Sequence, residues 1–473
     1  MPLKLYNSLT QQKEEFVPRE AGKVGMYVCG VTVYDECHLG HARAAVVFDV
    51  LYRYLKYLGN DVTYVRNFTD IDDKIIKRSR EAGEDWQALT RRYIQSYQQV
   101  MGRLDVQAPT HEPLATEHIH EMQELIASLE TRDLAYQGGA DVFYSVRKFK
   151  DYGKLSHKKI DDLEVGSRID VNEEKEDPLD FVLWKASKPG EPQWESPWGA
   201  GRPGWHIECS AMSMKYLGPS FDIHGGGRDL IFPHHENEIA QSEGKTGQPF
   251  AKYWLHNGFV NINAEKMSKS LGNIRSMPAI LEQWNPEVVR YFLLSSQYAS
   301  PLDFTDKAMA DSEAALVRFY ETLQRLQDEP EGQESVGVDF QKILEEGLND
   351  DLNTPHVFGR IFELIRQINR ELDSGHHYDQ VTKNSILQGL KKVGDVLGVF
   401  GADATEFLSQ QKQRGLAASA LDPAAIEKLI ADRKAARSSK DWKQSDAIRD
   451  ELDAHGVILK DNPDGTTTWT IKT

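Results

Sequence analysis

The sequence predicts an α/β protein. A doubly wound, parallel-sheet domain of Rossmann type is interrupted by an insertion and followed by an all-α helical bundle and a small C-terminal α+β domain. Three observations support this fold class. A strand, a helix and a second strand follow one another near the N-terminus; sheet-like patterning returns after a stretch of different composition; and the pattern becomes helical after about residue 310. The length of 473 residues suits several domains.

The N-terminal unit begins with "VGMYVCGV" (24–31), an apolar strand candidate rich in β-branched residues. The next segment places apolar residues at helical spacing and ends at Gly59, a natural helix stop. "DVTYVRNF" (61–68) predicts a second strand. Strand, helix and strand at this spacing indicate a parallel sheet.

The remaining elements follow in order. Residues 111–200 contain charge runs and a Pro/Gly/Trp-rich stretch, which we interpret as an insertion between two halves of the sheet domain. Sheet-like patterning returns at 221–232 and 253–263. After two helical segments, a basic helix candidate (424–453) precedes two short strands around an Asp-Gly turn, which predict a hairpin.

Composition narrows the class of protein. The formal net charge of −17 argues against indiscriminate nucleic-acid binding but allows a local basic face. Three cysteines do not make a disulfide framework, and they point to metal binding, catalysis or core filling. The sequence has no apolar run that would span a membrane and no secretory signal, so we expect a cytoplasmic protein that does not bind membranes.

The tetrapeptide "HLGH", His38 to His41, stands where a helix is predicted to begin. A helix N-terminus presents free backbone N–H groups to a phosphate, and Gly40 permits close approach. Two histidines there could donate hydrogen bonds to a phosphoryl group. The alternative is a pair of surface histidines that cap a helix, and the tetrapeptide alone does not separate the two.

The pentapeptide "KMSKS" begins at Lys266 and contains a second lysine, Lys269. Two lysines in a short, serine-rich loop could neutralise a triphosphate. A solvated basic turn is the alternative. Found together on a split α/β sheet, HLGH and KMSKS resemble the HIGH and KMSKS motifs of the class I aminoacyl-tRNA synthetases.

The stretch "PHHENE" raises the question of a metal site. His234 and Glu238 are four residues apart and share one face of a helix. A metalloprotease helix would need histidine at Ile239. Cys29 and Cys209 can reach the same edge of a doubly wound sheet, and Cys, Cys, His and Glu make a plausible zinc set. The alternative is two core cysteines and a polar helix.

Longer stretches resemble the cysteinyl-tRNA synthetase family within that class, over residues 27 to about 453. They are "YVCGVTVYDECHLGHAR", "NFTDIDDKII", "PGWHIECSAM", "DIHGGGRDLIFPHHENEIAQSE", "EKMSKSLGN", "DLNTP" and "KDWKQSDAIRDEL". The resemblance implies an ATP-dependent ligase that activates L-cysteine to cysteinyl-adenylate and transfers it to the 3′ end of tRNA(Cys). It further implies one Zn²⁺ per chain, which reads the substrate thiolate, Mg²⁺ with ATP, and a monomer.

The resemblance also implies site residues. The zinc ligands would be Cys29, Cys209, His234 and Glu238. Catalysis would rest on His38, His41, Lys266 and Lys269, and ATP would be bound by His38, Gly40, His41 and Lys269. The substrate would contact Thr69, Trp205, His224 and Asp229.

The C-terminal basic segment suits a single-stranded anticodon loop, because it combines cations with an aromatic side chain. The tRNA-binding candidates are Arg433, Arg437, Lys440, Trp442 and Lys443. A solvated amphipathic helix is the alternative. The predicted domains are the first half of the catalytic domain (1–110), the insertion (111–200), the second half (201–265), the KMSKS loop and stem-contact region (266–310), the tRNA-binding helical bundle (311–402) and the anticodon-recognition domain (403–473).

Two other functions remain open at this point. Related ligases make the same adenylate but pass cysteine to an amino sugar in mycothiol synthesis, and they lack the long C-terminal region. A non-catalytic tRNA-binding protein descended from a synthetase is the other alternative. The intact motifs and the roughly 160 residues after the catalytic part favour an active tRNA ligase.

Overall fold

The computed structural model describes residues 1–160, 174–262, 265–266, 275–418, 422–461 and 467–471. The strands are β1 (Lys4–Asn7), β2 (Gln12–Glu15), β3 (Lys23–Thr32), β4 (Asp61–Thr69), β5 (Ala135–Gly138), β6 (Asp141–Tyr144), β7 (Phe181–Ala186), β8 (Gly201–Pro203), β9 (Phe221–Gly227), β10 (Ala251–Asn257), β11 (Val260–Ile262), β12 (Glu265–Lys266), β13 (Leu302–Phe304), β14 (Val457–Asp461) and β15 (Thr467–Ile471).

The helices are α1 (Leu39–Tyr57), α2 (Asp73–Ala82), α3 (Trp86–Arg103), α4 (Ile119–Thr131), α5 (Trp205–Leu217), α6 (Glu236–Thr246), α7 (Met277–Gln283), α8 (Pro286–Leu294), α9 (Asp306–Asp328), α10 (Phe340–Leu348), α11 (Thr354–Asp373), α12 (Gln380–Leu397), α13 (Ala404–Ala418), α14 (Pro423–Ser438) and α15 (Trp442–Ala454). Across the described ranges, no helix is both long and apolar enough to traverse a bilayer.

The central sheet is parallel and has the strand order β10-β9-β3-β4. Strands β4, β9 and β10 are buried over most of their length and β3 is buried in its middle, as expected for a sheet covered on both faces. Helix α1 connects β3 to β4, and its apolar side chains pack into the main core. The predicted fold class, with its parallel sheet and helical C-terminal part, is therefore confirmed.

A second, antiparallel sheet interrupts the central one in sequence. It has the order β5-β6-β7-β8 and is joined to the central domain by a separate buried cluster that includes Leu183, Trp184 and Ile207. Arg202 at its last strand pairs with Asp73 at the start of α2. The insertion is thus a small β unit fixed beside the carboxyl ends of the central strands.

The helical region packs on the catalytic half through a buried charge network. Asp49 of α1 accepts hydrogen bonds from Arg53 and from Arg290 of α8, and Arg290 also donates to the carbonyl oxygen of Leu397 at the end of α12. All three charged side chains are buried. A buried charge costs free energy unless it is paired, so this network fixes α1 against the helical bundle.

The C-terminal region differs from the sequence prediction in one respect. The single basic helix expected over 424–453 is two helices, α14 and α15. Lys440 adopts a left-handed φ of 62°, and Asp441 caps α15 by accepting from the backbone N–H of Gln444. A capping residue after a left-handed turn ends one helix and begins another, so periodicity alone could not locate the break.

The helix that follows the predicted bundle boundary at residue 402 also packs on the bundle. Helix α13 packs on α9, where the rings of Phe407 and Tyr320 are 4.3 Å apart, and Phe407 is buried in the main core. The following helices and the β14–β15 hairpin form a small core of their own around Ile426, Leu452 and Trp469.

Candidate active site

The HLGH segment forms the N-terminus of α1. His38 is the N-cap; its Nδ1 accepts from the backbone N–H of Gly40 at 3.1 Å. His41 Nδ1 accepts in turn from the backbone N–H of His38, and the two rings stack with centroids 3.7 Å apart. Because both Nδ1 atoms are acceptors, each neutral ring carries its proton on Nε2 and presents a donor there. Such donors beside a helix N-terminus suit a phosphate.

Strand β3 carries an irregularity beside this helix. The β3–β4 register shifts between Val28 and Val31, and Gly30 donates its backbone N–H to Asn67 Oδ1 at 2.9 Å. A Cβ at Gly30 would lie 1.5 Å from the carbonyl oxygen of Asn67, so only glycine fits the bulge. The bulge immediately follows Cys29, which reaches the side chains of α5 and α6.

Four side chains predicted as metal ligands meet at this edge of the sheet. Cys29 Sγ is 3.6 Å from Cys209 Sγ and 3.4 Å from Glu238 Oε1, and His234 Nε2 is 3.1 Å from the same oxygen. One ligand atom from each residue lies within 4.8 Å of the others. Tetrahedral zinc with ordinary Zn–S and Zn–N bonds places its ligand atoms about 3.3–3.8 Å apart. The donor set and its spacing therefore fit zinc.

Burial sets the protonation of these groups. It lowers the pKa of His234 to about 3, so the imidazole is neutral at physiological pH, which is the form that binds a metal. Burial and the neighbouring Cys209 raise the pKa of the Cys29 thiol well above its ordinary value. Burial likewise raises the pKa of Cys209. Metal binding must therefore displace protons from both thiols, and its affinity depends on pH.

A second set of four overlaps the first. Cys29 and Glu238 also lie together with His224 and His235, again within 4.8 Å. His235 Nε2 is 3.3 Å from Cys29 Sγ, so its ring faces the cluster. The first set has two thiol ligands where the second has one, and zinc favours thiolate sulfur. We therefore assign His224 and His235 to supporting positions.

The substrate residues predicted from the sequence lie around this cluster. The Trp205 ring, 38 % exposed, stacks on the ring of His234 at 4.2 Å, where it forms an apolar wall. The buried hydroxyl of Thr69 donates to Glu208 Oε2 at 2.7 Å. Asp229 is exposed in the turn after β9. Its Oδ1 lies so close to Gly227 that a Cβ added to that glycine would be only 2.5 Å away.

The KMSKS segment is described only in part. Lys266 ends β12, where its backbone pairs with Asn261 of β11; its side chain and Lys269 lie outside the described residues.

The C-terminal basic residues differ in their environment. Arg433 is buried and makes two hydrogen bonds to Asp461 of β14, at 2.9 and 3.1 Å. Its guanidinium therefore holds the hairpin and does not face solvent. Arg437 bonds the same carboxylate but is more exposed. The side chains of Lys440, Trp442 and Lys443 are exposed, Trp442 by 58 %.

Several residues of the site were not singled out from the sequence. His206 Nδ1 is 3.0 Å from His234 Nδ1, and His256 Nε2 is 2.8 Å from His235 Nδ1. Glu208 is fully buried beside Thr69. His256 lies at the carboxyl end of β10, and polar residues at the carboxyl ends of parallel strands are the usual signal for a binding crevice. That rule could have found it.

Comparison with known families agrees with this geometry. Residues 15–314 match the catalytic domain of the class I (C) tRNA synthetases, residues 344–401 match the DALR domain, and residues 422–469 match the cysteinyl-tRNA ligase anticodon binding domain. The cysteine–tRNA ligase of Geobacter metallireducens is 51 % identical over 486 aligned positions that cover 100 % of both chains. That of Syntrophotalea carbinolica is 51 % identical and covers 98 % of this chain and 99 % of its own.

The chain belongs to the cysteine–tRNA ligase family. It is an ATP-dependent aminoacyl-tRNA synthetase that ligates cysteine to tRNA. The amino-sugar alternative does not account for an anticodon binding domain at residues 422–469.

Solved structures show the same fold in more distant synthetases. The match to Mycobacterium tuberculosis methionyl-tRNA synthetase in complex with methionyl-adenylate covers 84 % of this chain and 90 % of that one, with 16 % identity and a TM-score of 0.57. A putative arginyl-tRNA synthetase from Campylobacter jejuni covers 80 % and 94 %, with 11 % identity and a TM-score of 0.53.

Proposed function

We propose that the chain charges tRNA(Cys) with L-cysteine and that one zinc ion, held by Cys29, Cys209, His234 and Glu238, selects the amino acid. The observation that supports this is the close approach of these four side chains at the carboxyl edge of the sheet. Bound zinc supplies a thiophilic Lewis acid for the substrate sulfur, whereas a serine hydroxyl is a poor ligand. An apolar pocket alone discriminates near-isosteres by only about a hundredfold.

Thr69 and Asp229 recognise the ammonium group of the substrate. Thr69 gives its only proton to Glu208, and Asn67 Nδ2 lies 3.4 Å from the same hydroxyl oxygen. A hydroxyl has one donor and two acceptor positions, so Thr69 has only an acceptor left. A hydrogen-bond acceptor at this position attracts the ammonium group of the substrate and repels its carboxylate. His224 acts indirectly, through Glu238, and Trp205 closes the pocket with an apolar face.

His38, Gly40 and His41 bind the ATP phosphates at the N-terminus of α1, and Lys266 and Lys269 neutralise the departing pyrophosphate. Mg²⁺ accompanies the nucleotide. Positioning and charge stabilisation are the main requirements of phosphoryl chemistry of this kind. The Nε2 donors of the two histidines serve the first requirement, because they can position the phosphates by hydrogen bonds.

The anticodon is read by the C-terminal unit. Arg437, Lys440 and Lys443 supply cations, and the exposed Trp442 offers a face on which an unstacked base can lie. Arg433 belongs to this unit as the partner of Asp461 and supports it from within. We further propose that the protein acts as a cytoplasmic monomer.

Pyrophosphate exchange with cysteine, followed by acceptor transfer, tests this function. With ATP and cysteine we expect exchange, and then charging of tRNA(Cys) and not of an amino sugar. Transfer to the amino sugar alone would establish the mycothiol-type reaction instead. Absence of cysteine-dependent exchange would overturn both.

A further inference from the structure

Arg43 lies two residues beyond the HLGH segment and is fully buried in α1. Among the described residues, no salt bridge includes it, although a buried cation ordinarily has a carboxylate partner. Burial lowers the pKa of Arg43 only to about 10, so the guanidinium remains charged at neutral pH. Its two terminal nitrogens instead donate hydrogen bonds to uncharged groups.

Those hydrogen bonds go to two separate segments of chain. Nη1 donates to the carbonyl oxygens of Gly258 and Phe259 at 3.2 and 2.9 Å. Nη2 donates to the hydroxyl of Ser296 and to the carbonyl oxygens of Gln297 and Ser300, at 3.2, 3.3 and 2.6 Å. A planar guanidinium presents donors on two separate terminal nitrogens, whereas a lysine has three donors on one nitrogen and could not serve all five of these acceptors.

Both segments are directly connected to strand β11 or to the strand that pairs with it. Gly258 and Phe259 lie directly before β11, and residues 296–300 lead into β13, which pairs with β11. Strand β11 pairs in turn with β12, where Asn261 stands opposite Lys266. On the far side of the KMSKS region, the backbone N–H of Met277 donates to the carbonyl oxygen of Cys37 at 2.8 Å. The HLGH turn and its helix are therefore attached to the chain before and after KMSKS.

We propose that Arg43 is a positioning residue for ATP: it fixes the strand pair that carries Lys266 at a set distance from the HLGH turn. This rests on the proposed roles of HLGH and Lys266. Arg43 acts through the backbone of Gly258 and Phe259 and not by contact with the nucleotide. It determines whether the two phosphate-binding motifs engage one ATP molecule together.

The test compares Arg43→Lys with Arg290→Lys in the full-length, zinc-loaded enzyme. Arg290 is the control, because it is equally buried and also donates to carbonyl oxygens, but its partner on α1 is Asp49, eight residues beyond the HLGH segment, and its other partners include Leu397 and Leu104. For Arg43→Lys we expect the KM for ATP in pyrophosphate exchange to rise about tenfold or more, since a displacement near 1 Å can cost about a hundredfold. The KM for cysteine and the zinc content should stay unchanged. Arg290→Lys should lower the melting temperature and leave the KM for ATP unchanged.

A milder variant, Ser296→Ala, removes one acceptor from Arg43 and keeps the proposal testable if Arg43→Lys does not fold. Ser296→Ala should raise the KM for ATP by a smaller factor than Arg43→Lys does, and the KM for cysteine should stay unchanged. Equal changes in the KM for ATP and the KM for cysteine would overturn the proposal. Unchanged KM values with a lowered melting temperature would also overturn it, because Arg43 would then have a structural role only. A wild-type enzyme without cysteine-dependent exchange would instead overturn the proposed function.

Discussion

His224 Nε2 lies 2.8 Å from Oε2 of Glu238, and both side chains are fully buried. The other carboxylate oxygen, Oε1, faces Cys29 and His234. One oxygen of Glu238 is thus held by a histidine while the other is left to the metal site. His224 itself stacks on Trp254 at 4.5 Å, which fixes its ring.

Replacing His224 with Leu should therefore weaken zinc binding without removing a ligand. Groups that orient a ligand typically contribute 10- to 100-fold to metal affinity, and we expect a loss of about that size. Chelator competition measures it directly. His118 is the control: it is buried and hydrogen-bonded to the carbonyl oxygen of Leu114 and to Tyr216, outside the quartet. If His118→Leu reduced zinc affinity as much as His224→Leu, orientation of Glu238 would not explain the effect.

Replacing Cys209 with Ser should abolish stoichiometric zinc, because it removes a thiolate ligand. Adenylate formation with cysteine should fall, and the preference for cysteine over serine should shrink. The control is Cys37→Ser, a buried cysteine outside the quartet, which should keep one zinc per chain. An unchanged cysteine-over-serine preference in metal-free enzyme would contradict selection by zinc. Metal analysis and pyrophosphate exchange provide the two measurements.

The sequence predicted more residues of the site than local spacing alone could identify. The i,i+4 spacing placed His234 and Glu238 on one face, and the structure brings both to the cysteines as expected. It did not reveal His206, whose contact with His234 joins two separate elements, and it would have found His256 only by its place at the carboxyl end of a strand. The zinc-like cluster forms at the sheet edge, where three separate segments supply its four side chains, and periodicity carries no information about such long-range contacts.

In the C-terminal half, too, long-range contacts could not be predicted from the sequence. Basic composition predicted that Arg433 faces a nucleic acid, yet it is paired with Asp461, which lies 28 residues away in sequence. Likewise, the helix break at Lys440 depends on one left-handed residue that the helical periodicity does not record. The alternation and the Asp-Gly turn, by contrast, are local, and the two hairpin strands they predicted are present as β14 and β15.

Replacing Thr69 with Val should raise the KM for cysteine about tenfold, since loss of one buried acceptor costs about 1–3 kcal/mol when its partner is a charged group. The KM for ATP should not change. Thr69→Ser restores the hydroxyl and should recover most of the affinity. A raised KM for cysteine that Ser does not recover would mean that the methyl group, and not the hydroxyl, makes the contribution.

Deleting residues 422–473 should weaken tRNA charging and spare cysteine-dependent pyrophosphate exchange. The deletion begins after α13, because Phe407 of that helix packs in the main core, and the removed part has its own small core. A deletion from residue 404 should additionally lower the melting temperature, since it exposes the bundle around Tyr320. Parallel loss of exchange and charging in the shorter deletion would contradict a separate anticodon-binding role.

Acid should loosen the hairpin before the rest of the chain. Hydrogen bonds from Arg433, together with those from Thr467 and Arg437, hold the pKa of Asp461 well below its ordinary value although partial burial opposes this. A carboxylate with a depressed folded-state pKa contributes stability that is fully present above its unfolded pKa, about 4, and is lost as pH falls toward the folded value. The opening free energy of residues 457–461 from hydrogen exchange, corrected for intrinsic rates, should therefore decline below about pH 4.

The Asp461→Asn variant separates this ion pair from general acid effects. At neutral pH it should lower the opening free energy of the hairpin, and the difference from wild type should narrow as the pH falls below 4, because protonation of Asp461 has the same effect as the substitution. Asp450→Asn is the control, since Asp450 is exposed and forms an ion pair with its neighbour Arg449. A constant difference across this pH range would mean that Asn disturbs the hairpin by packing. In that case the charge of Asp461 would not account for the stability of the hairpin.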